Sequence, residues 1–151
     1  MTRFTDDYLL ALMAQASSAI SADFHRWLAE EGVTVATWRA LASLYPDQAL
    51  TVGELSASCL AKQPTMTRRI DRLAAEGLVE RIAGDGDRRR VLVRLTAVGR
   101  ARAAALVAEA QAHERRLLAA YSPAEAAALK TLLRGLRDGV VGARERTLEI
   151  T

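Results

Sequence analysis

The 151-residue sequence has little of several residue types on which particular protein classes depend. Its one cysteine, Cys59, excludes a disulfide framework within the chain and fits a reducing compartment. The two histidines and the cysteine do not share a helix face at ligand spacing, so we predict no metal site and no cofactor. Aromatic residues make up only 5% of the chain while Ala and Leu dominate, which favours a mainly helical protein.

Long apolar runs and targeting signals are also missing. No stretch approaches the roughly 18 apolar residues that a membrane span requires. The first ten residues contain no apolar core with a small-residue cleavage site, so we predict no signal peptide. No nucleophile has a base nearby, and the glycines lie at predicted turns rather than in a phosphate-binding loop. We expect a cytoplasmic protein that is not an enzyme and has no membrane partner.

The sequence does contain a local excess of positive charge. Nine basic and five acidic residues lie between Lys62 and Arg94, a net +4 that leaves −1 for the rest of a chain whose total is +3. A basic patch on a near-neutral body is typical of a surface that contacts nucleic-acid phosphates. The alternative, a solvated charged helix face, would mix the two signs more evenly.

Apolar residues recur every three to four positions over most of the chain, which predicts six helices. Capping boxes, Thr51 with Glu54 and Ser122 with Glu125, mark two of the helix starts. A proline in the first turn marks the start of the fourth helix. The predicted helices begin at Tyr8, Thr34, Thr51, Pro64, Thr96 and Ser122.

The fourth helix is predicted to bury one face and expose a basic one. Met66, Ile70 and Leu73 form its apolar stripe, so Thr65, Arg68, Arg69 and Arg72 face outward. Two short strands follow, residues 78–83 and 91–95, and they predict a hairpin whose tip, residues 84–90, is a long, mobile, cationic loop.

Helix, turn, helix and two-stranded wing make up a winged helix-turn-helix. We therefore predict a mainly α fold with a small β-hairpin wing, formed by a single domain over residues 1–151. Residues 33–96 are its DNA-binding part, and residues 1–32 and 97–151 form a helical part. The apolar faces of that helical part exceed what the DNA-binding part can cover, which predicts a homodimer.

Two runs of sequence within this part resemble the MarR family of bacterial transcriptional regulators. They are KQPTMTRRIDRLAAEGLVER, residues 62–81, and DRRRVLVRLTAVGR, residues 87–100. The resemblance implies that the helix from Pro64 to Glu76 is the recognition helix. It also implies that Arg89 enters the minor groove, that Asp87 braces the wing, and that Arg88 and Arg90 add phosphate contacts. The predicted DNA-contacting residues are Gln63, Pro64, Thr65, Thr67, Arg68, Arg72, Asp87, Arg88, Arg89 and Arg90.

Each charged residue has a structural alternative. Arg69 and Arg72 could form ion pairs along the helix with Asp71 or Glu76, each worth a few tenths of a kcal/mol. The strand arginines Arg81 and Arg94 are expected to be surface charges rather than DNA contacts.

The resemblance further implies an effector pocket between the dimer helices and the DNA-binding part. Trp38 beside Arg39 could stack on an aromatic ring and pair with its carboxylate, so we expect an aromatic acid. The alternative places Trp38 in the core and Arg39 on the surface. The candidate effector-binding residues are Ser17, His25, Trp38, Arg39 and His113.

We predict a dimeric, sequence-specific repressor that a small-molecule effector releases from an inverted-repeat operator on double-stranded DNA. The alternatives are a ligand-independent DNA-binding protein, a winged-helix module for protein interaction, and an oxidant-sensing repressor that uses Cys59. Reactive thiols need a lowered pKa in an accessible, electropositive setting. We therefore expect Cys59 to be buried and to have a packing role.

Overall fold

The computed structural model describes residues 3–84 and 86–148, without the side chains of residues 87, 88 and 143–148. A 3-10 turn at Phe4–Asp6 precedes six α-helices and one β-hairpin, as the sequence predicts. No described helix is both long and apolar enough to cross a membrane. The elements are α1 (Leu9–Glu30), α2 (Val35–Leu44), α3 (Val52–Ser58), α4 (Gln63–Ala75), β1 (Val79–Gly84), β2 (Asp87–Leu95), α5 (Ala97–Leu118) and α6 (Pro123–Leu148).

Helices α3 and α6 begin at the predicted capping boxes. The Glu54 amide donates to Thr51 Oγ1 at 3.2 Å, and the Thr51 amide donates to Glu54 Oε2 at 2.7 Å. Ser122 and Glu125 repeat this exchange at 3.2 Å and 2.8 Å. Each pair satisfies two amides that a helix start leaves without an intrahelical partner. The local sequence therefore fixes where both helices start.

Two compact units divide the chain within α5, residues 1–113 and residues 114–151. The core of the first unit joins α1–α4, the hairpin and α5. Met66, Ile70 and Leu73 are at most 2% exposed, which confirms the predicted buried stripe of α4. The second unit consists of the end of α5 and α6, where Lys130 pairs with Glu114 at 2.8 Å. Helix α5 ends at Leu118.

The hairpin differs from its prediction at the tip. Its strands pair regularly from Val79 opposite Leu95 to Ala83 opposite Val91, and Gly84 then pairs with Asp87. Residues 88–90 are consequently extra residues on β2, as in a β-bulge. The predicted long loop over residues 84–90 was wrong, because β1 extends to Gly84 and β2 starts at Asp87. The arginine-rich run is thus part of a bulged strand.

The hairpin is attached to the helices at both ends. Leu50, before α3, exchanges backbone hydrogen bonds with Val93 of β2 at 3.0 Å and 2.8 Å. Thr96 accepts from the Gly99 amide at 3.0 Å and donates to the Gly77 carbonyl at 2.6 Å. A Cβ on Gly99 would lie 1.8 Å from the Leu78 carbonyl oxygen, so only glycine fits this contact. These contacts fix the base of the wing relative to α3 and α4.

Candidate nucleic-acid interface

Helix α4 presents a mainly polar face to solvent because its large apolar residues, Met66, Ile70 and Leu73, are buried on the other side. Its six predicted contact residues are exposed, which brings them together on one helix surface. The Thr67 hydroxyl donates to the Gln63 carbonyl at 3.0 Å, so its oxygen keeps acceptor capacity. The residues of this surface are Gln63, Pro64, Thr65, Thr67, Arg68 and Arg72.

One edge of α4 contacts the wing through an ion pair. Asp71 Oδ1 lies 2.6 Å from the Arg81 guanidinium of β1. Within the described part of the chain, neither Arg69 nor Arg72 forms an ion pair or a side-chain hydrogen bond, so the alternative pairs along the helix are not observed. Among the residues that the structure describes, both guanidinium groups are therefore without an anionic partner.

The tip of the wing is tied to the first turn of α3. Arg90 donates to Glu54 Oε1 at 3.0 Å, while the other carboxylate oxygen accepts from the Thr51 amide. That backbone hydrogen bond, more than the Arg90 charge, lowers the pKa of Glu54. The structure therefore gives Arg90 a protein partner on α3, in addition to the phosphate contact predicted for it.

The structure bears differently on the predictions made for the other charged residues of the wing. Arg89 is exposed on the bulged part of β2. The predicted roles of Asp87 and Arg88 concern side chains outside the described part of the structure. Arg94 pairs with Glu80 at 2.7 Å, and Arg81 with Asp71, so both arginines take part in surface ion pairs.

Two of the five effector candidates lie together in an aromatic cluster around the buried Phe24. The centroid of the Phe24 ring lies 5.2 Å from Trp38, 5.6 Å from His113 and 5.7 Å from Trp27. The sequence reasoning did not include Phe24 and Trp27 among the candidates. Their three-residue spacing on α1 was the available signal, since it places both on one helix face.

The other three candidates are not tied to this cluster by any described ring contact or hydrogen bond. Ser17 and Arg39 are exposed, and His25 is half-buried. Trp38 itself packs against the hydrophobic core, as the structural alternative predicts. Of the five candidates, the described ring contacts therefore join only Trp38 and His113, and the effector-binding role of all five stays a prediction.

Cys59 is 4% exposed, which confirms the expected packing role. Burial raises the pKa of its thiol, although Ser43 Oγ lies 3.8 Å from Sγ and acts in the opposite direction. A buried, protonated thiol is a poor nucleophile toward oxidants. The environment of Cys59 therefore disfavours the oxidant-sensing alternative.

Comparison with known proteins decides the family. The model of the MarR family matches residues 31–90. A MarR family transcriptional regulator from Silicibacter pomeroyi DSS-3 is 43% identical, and the alignment covers 92% of this chain and 99% of that one with a TM-score of 0.82. The chain belongs to the MarR family. The resemblance inferred from residues 62–81 and 87–100 is thereby confirmed, as is the winged-helix fold of this family of DNA-binding transcriptional regulators.

Two further proteins, FarR and BpsR, are similar over shorter or more divergent alignments. FarR of Neisseria gonorrhoeae, an HTH-type transcriptional regulator, is 30% identical over 87 residues, which span 58% of this chain and 60% of FarR. BpsR of Bordetella bronchiseptica is 28% identical, with 91% of this chain and 98% of BpsR covered and a TM-score of 0.75. The DNA binding of BpsR is regulated by 6-hydroxynicotinic acid.

Proposed function

We propose that the protein is a homodimeric repressor that binds an inverted-repeat operator through α4 and the wing, and that an aromatic carboxylate releases it. The proposal of DNA binding rests on the exposed face of α4. The arginines of this helix have no ion-pair partner among the described residues. Arginine binds guanine through two hydrogen bonds in the major groove, and it is favoured in a narrow minor groove. Helix α4 then reads bases while Arg89 of the wing enters the minor groove.

A second copy is proposed because each unit exposes an apolar face. In the first unit, Leu9, Leu12, Met13 and Ile20 of α1 are 37–53% exposed. In the second, Leu129, Leu132, Leu133, Leu136 and Val140 recur along α6 and are 41–71% exposed. Contiguous apolar faces of this kind mark interaction surfaces in soluble proteins. A two-fold dimer covers such a face with its own copy and provides two recognition helices.

The aromatic cluster and the regulation of BpsR support an aromatic acid as the effector class. Trp38 and His113, which meet around Phe24, offer ring faces and a polar nitrogen to an aromatic acid. Ligand binding there would favour a spacing of the recognition helices that no longer matches successive major grooves. 6-Hydroxynicotinic acid, the BpsR ligand, is the first compound to test. A ligand bound only by the native state raises the melting temperature, and an unchanged value with a panel of aromatic acids supports the ligand-independent alternative.

Arg89→Ala is the direct test of the wing. We expect operator binding to weaken by about 1–3 kcal/mol, because the variant loses a cationic contact in the groove. The measurement is a gel-shift titration at fixed salt on an operator obtained by selection from random duplexes. Arg94→Ala is the matched control, since Arg94 is another exposed arginine of the same strand and is not a predicted DNA contact. Unchanged affinity of the Arg89 variant would contradict the proposed role of the wing.

A further inference from the structure

A cavity of about 330 Å³ lies between the start of α2 and the edge of α4 opposite the wing contact. Three hydroxyl groups and three guanidinium groups line it, and Arg69 and Thr37 are half-buried there. Arg69, Thr34 and Thr37 are not among the DNA-contacting residues predicted from the sequence. The polar lining consists of Thr34, Thr37, Thr65, Arg68, Arg69 and Arg72.

The arginines of this cavity differ from most others in the first unit. At least seven described arginines of that unit pair with a carboxylate, namely Arg3, Arg26, Arg81, Arg90, Arg94, Arg100 and Arg102. Arg68, Arg69 and Arg72 form no ion pair with any described residue, and no acidic side chain lines the cavity. Positive charges that line one cavity repel one another unless an anion lies among them. The cavity is therefore suited to an anionic group.

The hydroxyl of Thr37 adds a directed donor. Thr34 Oγ1 accepts from the Thr37 amide at 3.1 Å and donates its own proton to Thr37 Oγ1 at 3.0 Å. Because Thr37 Oγ1 is the acceptor in that bond, its proton is available to a ligand. The helix cap thus orients a neutral donor beside the charged ones.

We propose that this cavity binds a phosphate of the DNA backbone, with Arg69 and Thr37 as its main donors. This inference rests on the proposed DNA-binding function. A phosphodiester offers one negative charge and several acceptor oxygens, which matches guanidinium and hydroxyl donors. The cavity shares Thr65, Arg68 and Arg72 with the exposed face of α4, so a duplex that contacts that face passes its opening. The phosphate contact would set the position of α4 without reading sequence.

The test is the salt dependence of duplex binding by Arg69→Gln. We expect affinity to fall on the order of tenfold, equally for the selected operator and for random duplex DNA. We also expect the slope of log affinity against log salt to become shallower by about one unit. Thr37→Val should weaken binding severalfold with the slope unchanged, because it removes a donor without a charge. Arg69→Lys should restore the slope.

Arg26→Gln is the matched control, since it removes a paired arginine of α1 and should leave the slope unaltered. If the wild type binds duplex DNA but Arg69→Gln keeps its slope, the phosphate site is wrong and the proposed function stands. If the wild type binds no duplex DNA, the proposed function itself fails.

A second experiment distinguishes a free phosphate ligand from a phosphate of DNA. It compares the stability of the protein in phosphate and in chloride at matched ionic strength. Arg69-dependent stabilisation by phosphate, with an unchanged DNA slope, would overturn the assignment to DNA. If Arg69→Gln fails to fold, Arg69→Lys and Thr37→Val carry the test.

Discussion

Leu60 occupies an unfavourable backbone conformation in the turn between α3 and α4. Its φ is +54° and its side chain is 85% exposed. The turn closes α3 with two hydrogen bonds, from the Leu60 amide to Ala57 at 3.2 Å and from the Ala61 amide to Ser56 at 2.9 Å. This is the Schellman arrangement, which favours glycine at the position of Leu60. The left-handed conformation costs an L-residue about 1–2 kcal/mol.

Leu60→Gly should therefore stabilise the protein. We expect the free energy of unfolding to rise by about 0.5–1 kcal/mol, because the greater freedom of glycine in the unfolded chain offsets part of the relieved strain. Urea unfolding at one fixed protein concentration measures the change. Leu60→Ala is the control, since it removes the exposed apolar side chain but keeps Cβ. An equal gain in the alanine variant would attribute the effect to apolar exposure instead of strain.

At the scale of elements, the contact between the wing and α3 depends on Glu54. One carboxylate oxygen caps α3 through Thr51, and the other accepts from Arg90 at the bulged end of β2. Gly84 allows the strands to approach there, because a Cβ on it would lie 3.0 Å from the Arg90 carbonyl oxygen. Arg90, the neighbour of Arg89, is thus held from two sides.

Glu54→Gln should weaken operator binding severalfold if the ion pair positions the wing. Glutamine keeps one carbonyl acceptor for the Thr51 amide, so the cap of α3 is preserved, while the charge and the second acceptor, which binds Arg90, are lost. The reversed pair, Glu54→Arg with Arg90→Glu, should bind better than either single reversal. Gel-shift titrations of the wild type, the two single reversals and the double reversal measure the coupling free energy between residues 54 and 90. Tighter binding by Glu54→Gln, with a steeper salt slope, would instead show that Glu54 competes with a phosphate for Arg90.

The sequence predicts those elements whose causes are local. The starts of α3 and α6 rest on side chains three residues apart, and the buried face of α4 follows from the spacing of Met66, Ile70 and Leu73. The wing tip was mispredicted because its form depends on distant residues. Arg90 and Glu54 are 36 positions apart, and no local pattern indicates that they meet.

The candidate site likewise has one part that the sequence predicts and other parts that it does not predict. The exposed face of α4 is predictable, since an amphipathic helix with one apolar stripe leaves its other residues outside. The cavity beside Arg69 is not, because it requires that α2 and α4 pack at a particular distance. The aromatic cluster likewise joins residues of α1, α2 and α5 that no spacing in the sequence brings together.

At the scale of the whole molecule, α6 provides the test of the proposed dimer. Leu132→Asp places a charge on the apolar stripe at its most exposed residue, and we expect dissociation to monomers with loss of operator binding. Sedimentation velocity over a range of protein concentrations measures the change. Thr131→Asp is the control on the polar side of the same helix and should remain dimeric. Sedimentation of the Leu132 variant like the wild type would argue against α6 as the interface.

Two copies of α4 and the wing are proposed to read one inverted-repeat operator. Hydroxyl-radical footprinting of the wild-type protein on a selected operator tests it most directly. The dimer predicts two protected half-sites related by inverted symmetry and about 10 base pairs apart from centre to centre, because successive major grooves on one side of the duplex have that spacing. A single protected segment without inverted symmetry, or no protection at all, would contradict the claim.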